Sequence, residues 1–263
     1  MTLESAYAAV VAAPREDAPR ARFADLAASP EPATAAFVRD QLATAGRRRS
    51  AGRRDREIER AARRVLAPPP VHEARFRRAR ALLAGTVPAW AEAWGYGRGF
   101  LERACVDAAW FAARGVELAA AAPIVDVVLT GLPHDATECF DSPAWAHARS
   151  LRFAGPPPTA AHVEALATSP YFGALRSLDL GGAGLPATAI YAVAASPTLR
   201  GLRYVRADGN AFPDVNPAQD EQDGQVYGAR PSTFAAELRA RYGPLSWLTG
   251  VPPEEEPPPE TWG

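Results

Sequence analysis

The chain has 263 residues, a formal net charge of −1, 48% hydrophobic residues and 22% charged residues. These values are typical of a globular protein and exclude a disordered one. No run of about 18 uncharged apolar residues occurs, so no membrane span is expected. The N-terminus carries Glu4 and no basic leader, which argues against a signal peptide. The chain has only two cysteines, so a cytoplasmic protein without disulfides is expected.

The first 95 residues are predicted to form a small helical domain. Thr2 can cap a helix that Pro14 ends. Asp17 is expected to cap a second helix, and a third is expected to end at Gly46. A further helix is predicted over about 71–84.

Every one of the 29 basic residues is arginine, and many of them lie in residues 47–80, which hold 13 arginines and 4 acidic residues. Residues 1–80 therefore carry +7, whereas residues 81–263 carry −8. The segment is interpreted as an electrostatic patch for an acidic protein partner or for nucleic acid, or as a solvated helix face. Few aromatic residues interrupt it, which argues against stacking on single strands. Its candidate residues are Arg47, Arg48, Arg49, Arg53, Arg54, Arg56 and Arg60.

The second half changes period, from helical spacing to strands that alternate with helices. A strand is predicted over 100–106, a helix capped by Asp107 over 107–121, and a β-branched strand over 125–130. Ser-Pro pairs then recur every 27 residues, at Ser142, Ser169 and Ser196, and a strand follows each. These three strands are predicted over 149–154, 176–181 and 203–207.

The inward position of each strand is predicted to be apolar and to recur with the repeat. It falls at Val127, Leu151, Leu178 and Val205, in steps of 24, 27 and 27 residues. A strand-plus-helix unit of this length with an L-x-L core is typical of leucine-rich repeats. Such units stack into a solenoid with one parallel sheet on its concave side and helices on its convex side.

The predicted fold class is therefore α/β, with a helical head followed by a short leucine-rich-repeat solenoid. The head spans 1–95 and the solenoid 96–212. Residues 213–250 are predicted to form a loop and a last helix that Ser232 caps, and Leu245, Trp247 and Leu248 after that helix are predicted to cover the open end of the solenoid. Residues 251–263 are predicted to form an acidic, proline-rich tail.

The residues that flank each inward position are expected to point to solvent on the concave face. These flanking residues form two rows across the strands. In one row the charges of Arg152, Asp179 and Arg206 alternate in sign, so this row could instead form a plain salt-bridge ladder, in which each exposed pair stabilises the fold by only about 0–1 kcal/mol. Since solenoids commonly bind partners on this surface, the two rows are a candidate partner-binding face. Its residues are Asp126, Val128, Ser150, Arg152, Ser177, Asp179, Tyr204 and Arg206.

Two motifs resemble a known bacterial family. The run from Pro14 to Leu26, followed by Phe37-Val38-Arg39-Asp40-Gln41, is similar to the repeat-companion domain of myxobacteria and planctomycetes, as is Gly99-Phe100-Leu101-Glu102-Arg103. The resemblance covers most of residues 4–212. Where the family has an aromatic-Ala-Asp-Trp-Leu motif, this chain has Phe23-Ala24-Asp25-Leu26. The resemblance implies a domain that precedes leucine-rich repeats and no established activity.

No catalytic constellation is predicted. His134, Cys139 and His147 could supply a nucleophile or a metal ligand, but their spacing fits no zinc pattern and a solvated loop is favoured. The acidic stretch from Asp208 to Asp223 lacks the spacing of an EF-hand, and Gly95-Tyr96-Gly97-Arg98-Gly99 is expected to be a turn. We therefore expect no metal site, no cofactor and no small-molecule substrate.

The sequence thus predicts a non-enzymatic module for protein–protein interaction, a subunit or adaptor of a larger bacterial assembly. The alternative is an accessory protein that binds nucleic acid through the arginines of 47–80.

Overall fold

The computed structural model describes residues 1–48, 74–86, 94–212, 221–222, 225–226 and 233–249. The chain is mixed α/β and folds into two compact units. The first unit comprises residues 1–105 and 116–125, and the second comprises residues 106–115 and 126–253.

The first unit contains short helices, as predicted. Thr2 caps the first helix, because its side chain accepts a hydrogen bond from the Ser5 N–H. Asp17 was expected to cap the second helix but is its first residue, and Glu16 precedes it without a side-chain cap. The third helix continues through Gly46, where an end was expected; one glycine inside a helix costs only about 1 kcal/mol. The helices are α1 (Leu3–Ala12), α2 (Asp17–Ala27), α3 (Pro32–Arg48) and α4 (Arg77–Leu83).

A turn was expected over 95–99, but Gly95, Tyr96 and Gly97 belong to a strand that was not predicted, and only Arg98 and Gly99 form the turn. This turn connects two antiparallel strands, β1 (Trp94–Gly97) and β2 (Phe100–Asp107). Arg98 and Gly99 have φ of 46° and 84°, and positive φ at both central residues is typical of a type I′ hairpin turn. A Cβ on Gly99 would lie 2.9 Å from the Cα of Val38, so the turn needs glycine there.

Four aromatic side chains form the core of the first unit. Phe23, Phe76 and Phe100 are fully buried. Their ring centroids and that of Tyr7 lie 5.3–6.3 Å apart, mostly edge to face. The hydroxyl of Tyr7 donates to the Ala121 carbonyl at 2.9 Å. One aromatic cluster therefore connects the helical segments to β2.

The main sheet follows chain order from β1 to β6, and the five strands from β2 to β6 are parallel, as predicted. Asp107 caps the helix after β2, since its Oδ1 accepts from the N–H groups of Ala109 and Trp110. The remaining strands are β3 (Asp126–Gly131), β4 (Ser150–Phe153), β5 (Ser177–Asp179), β6 (Tyr204–Arg206) and the short antiparallel pair β7 (Glu221–Gln222) and β8 (Gln225–Val226). The remaining helices are α5 (Ala108–Ala121), α6 (Thr137–Phe140), α7 (Ala160–Thr168), α8 (Ala187–Ala195) and α9 (Thr233–Tyr242).

The predicted inward row forms across the parallel strands. Val127 pairs with Leu151, Leu151 with Leu178, and Leu178 with Val205. These four side chains are at most 1% exposed. The 27-residue period of the sequence is therefore the period of the stacked strands.

The Ser-Pro repeat also has a structural role. Ser142, Ser169 and Ser196 are buried, and each hydroxyl donates to a carbonyl of the preceding repeat, those of Ala112, Phe140 and Ala167. Each hydroxyl oxygen also accepts an N–H at the start of a short 3-10 segment. These 3-10 segments are Pro143–His147, Phe172–Ala174 and Thr198–Gly201. We call the three serines the serine clamps.

The C-terminal segment covers the last strand. A fourth 3-10 segment, Ser246–Thr249, packs against β6, and Trp247 and Leu248 are buried. Arg239 donates from Nη2 to the Leu248 carbonyl at 3.0 Å. The predicted cover thus forms with two of its three predicted apolar residues buried. Ser232, the predicted cap of α9, and the tail 251–263 lie outside the described residues.

Candidate interaction face

The two predicted rows lie across the parallel strands in register. Asp126 is opposite Ser150, Ser150 opposite Ser177, and Ser177 opposite Tyr204. In the second row Val128 is opposite Arg152, and Asp179 is opposite Arg206. The sequence repeat therefore brings the eight candidate residues together on one sheet.

The expectation that all eight side chains point to solvent is wrong for half of them. Val128 is 2% exposed, Ser150 6%, Arg152 7% and Ser177 7%. The accessible part of the face is formed by Asp126, Asp179, Tyr204 and Arg206, which are half-buried.

Ion pairs connect the charged members of the face across neighbouring strands. Arg152 Nη2 lies 3.3 Å from Asp126 Oδ2, so this arginine pairs two positions back on the neighbouring strand. Arg206 Nη1 lies 3.5 Å from Asp179 Oδ2. The ladder that was weighed as an alternative to a binding face is therefore present between Asp179 and Arg206.

Asp208 holds Arg206 more closely than Asp179 does. Arg206 Nε and Nη2 donate to the two carboxylate oxygens of Asp208 at 2.8 and 3.2 Å. These hydrogen bonds raise the pKa of Arg206, although burial opposes them. Beside this pair, burial and the charge of Asp179 raise the pKa of the Tyr204 phenol. At neutral pH the accessible face therefore presents a neutral phenol beside a fixed guanidinium–carboxylate pair.

The thiol of Cys139 belongs to the core. It was expected in a solvated loop, but Cys139 is in α6, is 0% exposed, and its Sγ contacts the Asp135 carbonyl at 3.5 Å. Burial, with the nearby charges of Asp107 and Asp135, raises the pKa of the thiol to about 11. A thiol in this environment is a poor nucleophile and a poor metal ligand.

No metal site was expected, and the acidic stretch after Asp208 was the remaining candidate that the sequence offered. Within the described ranges, no group of three or more His, Cys, Asp or Glu side chains is placed to hold a metal ion. Much of the acidic stretch after Asp208 lies at 213–220 and 223–224, outside those ranges. Asp208 itself is engaged by Arg206.

Most of the predicted electrostatic patch is not covered by the structure. Arg49, Arg53, Arg54, Arg56 and Arg60 lie outside the described residues, and Arg47 and Arg48 end α3 without a description of their side chains. Farther along the same basic segment, Arg77 and Arg78 are exposed on α4.

Residues from two of the segments that carry the family resemblance meet Arg98 in a largely buried ionic network. Glu102 Oε1 lies 2.8 Å from Arg20 Nη2 and 3.1 Å from Arg98 Nε. Arg98 also donates to Asp17 Oδ1 at 3.2 Å and to the Pro14 carbonyl at 2.9 Å. Burial raises the pKa of Glu102, against the opposing effect of the two arginines. We call these five residues the hairpin lock, because they connect the turn after α1 to the β1–β2 hairpin.

One further row, not predicted from the sequence, is formed by Arg149, Arg176 and Arg203. Each arginine directly precedes a repeat strand, and the row shares the 27-residue spacing that identified the inward leucines. That spacing was a usable signal.

Comparison of the chain with protein-family models, with curated proteins and with solved structures finds no match. No helix among the described residues is both long enough and apolar enough to span a membrane.

Proposed function

We propose that this chain is a non-enzymatic module for protein–protein interaction, in which a repeat-companion head precedes a short leucine-rich-repeat solenoid. It acts as a subunit or adaptor in a larger bacterial assembly. The observation that carries the proposal is the in-register stacking of β3 to β6, which repeats equivalent side chains across one sheet. Stacked repeats of this kind build extended binding surfaces.

The burial pattern supports the leucine-rich-repeat assignment. The repeat pattern L-x-x-L-x-L-x-x-N-x-L aligns with residues 202–212, where Leu202, Val205, Ala207 and Phe212 are all buried. Asn210 occupies the asparagine position. Its Nδ2 donates to the carbonyls of Leu180 and Ala207, and its Oδ1 accepts from the Leu185 N–H. One side chain thus satisfies backbone groups of two neighbouring repeats.

The binding surface that we propose is the accessible half of the face, centred on Asp179, Tyr204 and Arg206. Tyrosine and arginine are enriched among residues that dominate binding energy at interfaces. The sheet holds their backbones rigidly, which lowers the entropy lost on binding.

The test is affinity capture with the full chain as bait, followed by crosslinking and mass spectrometry. The variant Tyr204→Ala/Arg206→Ala should retain at least tenfold less of a partner that crosslinks to the face. The matched control, Tyr171→Ala/Arg200→Ala, changes the same residue types in the repeat segments outside the face and should retain the partner as the parent does. Equal retention by both variants would show that the face is not the binding surface. Failure of the parent to retain any partner would contradict the interaction function itself.

Nucleic-acid binding is a second candidate function. It is favoured by the +9 charge of residues 47–80 and by the exposure of Arg77 and Arg78. Changing Arg47, Arg48, Arg53 and Arg54 to Gln should lower retention on duplex DNA. The slope of log affinity against log salt should become shallower by about 0.9 for each phosphate that the variant no longer neutralises. Unchanged retention at 50 mM salt would exclude this function for the segment.

A further inference from the structure

Three hydroxyl side chains lie in a row across the parallel strands. Ser150 of β4 pairs in register with Ser177 of β5, which pairs with Tyr204 of β6. Side chains alternate between the two faces of a sheet. Because Leu151 and Leu178 point into the core, the serines next to them point to the face that carries Tyr204. The strands that carry the three residues are about 4.8 Å apart. We call Ser150, Ser177 and Tyr204 the hydroxyl row.

The hydroxyl groups of this row have no partner within the fold. Ser150 and Ser177 are 6% and 7% exposed, so more than nine-tenths of each residue is buried. In the described ranges of the chain, neither serine hydroxyl forms a hydrogen bond, and the Tyr204 phenol forms none either. Buried polar side chains are almost always hydrogen-bonded, as the three serine clamps are. The hydroxyl row therefore offers hydrogen bonds that the fold does not use.

The charged side chains beside the row are already paired. Asp126 is next to Ser150 in the row, and its Oδ2 lies 3.3 Å from Arg152 Nη2. Asp179 Oδ2 lies 3.5 Å from Arg206 Nη1. A carboxylate ligand would meet the charges of Asp126 and Asp179, whereas an ammonium ligand would meet carboxylates that already hold guanidinium groups. Either ion would also lose hydration on reaching the buried serines, so the row favours a neutral ligand.

A carboxamide has the hydrogen-bonding groups that the row requires. Each hydroxyl can both donate and accept, and a carboxamide has two N–H donors and a carbonyl acceptor. One carboxamide can therefore accept from one serine and donate to the other. A carboxylate can only accept and an ammonium can only donate. An apolar side chain would displace water from the hydroxyls without replacing its hydrogen bonds, which lowers affinity.

We infer that the hydroxyl row binds a neutral carboxamide side chain, asparagine or glutamine, of the partner protein. This inference rests on the proposed interaction function and names the chemistry of the partner residue. The half-buried Tyr204 belongs both to the row and to the accessible half of the face, so a partner bound there can extend a side chain to Ser177 and Ser150. A site built to hydrogen-bond a polar group rejects analogues without it, because its own buried polar groups stay unpaired.

The test titrates the full chain with four acetylated and amidated pentapeptides. Each has one central residue between pairs of glycines, and this residue is glutamine, glutamate, methionine or lysine. Glutamine, glutamate and methionine have similar shapes, so they differ mainly in hydrogen bonding and charge. The parent should bind the glutamine peptide at least fivefold more tightly than the other three. In nuclear magnetic resonance spectra the backbone amide signals of β4, β5 and β6 should shift.

Two serine variants connect the preference to the row. Ser150→Ala/Ser177→Ala should weaken binding of the glutamine peptide at least tenfold and remove its advantage over the methionine peptide. Its melting temperature should be equal to that of the parent or higher, because the hydroxyls that it removes have no partner in the fold. The matched control Ser5→Ala/Ser29→Ala changes two exposed serines of the first unit and should bind as the parent does.

A milder variant keeps the test decisive if the double variant does not fold. Tyr204→Phe keeps the ring and removes only the phenol hydroxyl. It should weaken binding of the glutamine peptide about threefold, which corresponds to the loss of one hydrogen bond.

Three results would overturn the inference. They are equal affinity of the parent for the glutamine and methionine peptides, tighter binding of the glutamate or lysine peptide, and unchanged glutamine-peptide binding by the row variants. None of them contradicts the proposed function, which fails only if the capture experiment retains no partner.

Discussion

The environment of a single side chain decides whether it can react or only packs in the core, and Cys139 is the example. In the sequence, Cys139 lies close to two histidines and several carboxylates, a combination that made it a candidate nucleophile. The fold instead buries its sulfur and raises the pKa of the thiol to about 11. At the level of the residue, burial decides the chemistry.

Cys139 should therefore be inert toward thiol reagents while the protein is folded. At pH 8 a thiol of ordinary pKa is about one-quarter ionised, whereas a pKa of about 11 leaves roughly one thiolate in a thousand. In a Cys105→Ser background, labelling by a disulfide reagent should be at least a hundredfold slower in buffer than in 6 M guanidinium. The raised pKa contributes stability below about pH 9, and this contribution is lost as the pH rises through about 11. Fast labelling of the folded chain would contradict the burial.

Leu178 tests the inward register. Its side chain is 0% exposed, and emptying a packed core site of this size costs about 2–5 kcal/mol. Leu178→Ala should lower the free energy of unfolding in urea by that amount. Ser177→Ala, on the opposite face, should cost less than about 1 kcal/mol. Equal losses would mean that the two faces are assigned the wrong way round.

Within each unit, a different kind of contact connects the helices and strands to one another. In the first unit the hairpin lock pairs a buried carboxylate with two guanidiniums. In the second unit the serine clamps connect each repeat to the one before it. Apart from the Arg98–Glu102 pair, whose members are four residues apart, these contacts join segments that are distant in sequence, so they specify how elements pack rather than whether they form.

Glu102→Gln should destabilise the hairpin lock. Removing the negative member of a buried ion pair leaves the remaining charge uncompensated, which typically costs about 3–5 kcal/mol. The loss should appear as a lower melting temperature and as faster amide exchange in β1 and β2. Glu16→Gln, an exposed neighbour of the same turn, should change stability by less than about 0.5 kcal/mol. A loss no larger than that of the control would show that the lock does not stabilise the hairpin.

Ser169→Ala tests a serine clamp. It removes the donor to the Phe140 carbonyl, whose hydrogen bond is 2.8 Å long and buried. A buried acceptor left without a partner costs about 1–3 kcal/mol. The neighbouring Thr168→Ala, whose hydroxyl bonds only within an exposed helix turn, should cost clearly less. Chemical unfolding of the two variants provides the comparison, and equal costs would refute the clamp.

At the scale of the molecule, the stability of each stacked strand depends on the strands beside it. From β3 to β6 each strand pairs with the strand before it, and the 3-10 segment with Trp247 covers β6. Stacks of this kind fray from an uncovered end.

Trp247→Ala should therefore loosen the stack from its C-terminal end. The side chain is 3% exposed, and truncating a buried tryptophan costs about 3–5 kcal/mol. Hydrogen exchange should accelerate most in β6, less in β5 and least in β3. Uniform acceleration along the stack would show that the second unit unfolds as one cooperative body.

The sequence by itself determined the repeating part of the fold. A 27-residue period with one apolar position per strand requires stacked parallel strands, since only neighbouring repeats can bury that position. The row of Arg149, Arg176 and Arg203 has the same period. The caps at Thr2 and Asp107 were also predictable, because capping depends on residues within one turn of the helix.

Only the tertiary structure decided which polar residues are accessible and which are paired. Ser150 and Ser177 are buried although their row was expected to face solvent, and Arg152 pairs with Asp126 rather than with Asp179. Glu102 meets Arg20 across 82 positions, and β1 forms because the Arg98-Gly99 turn returns the chain against β2. Contacts between distant segments follow from packing in three dimensions, and no local pattern encodes them.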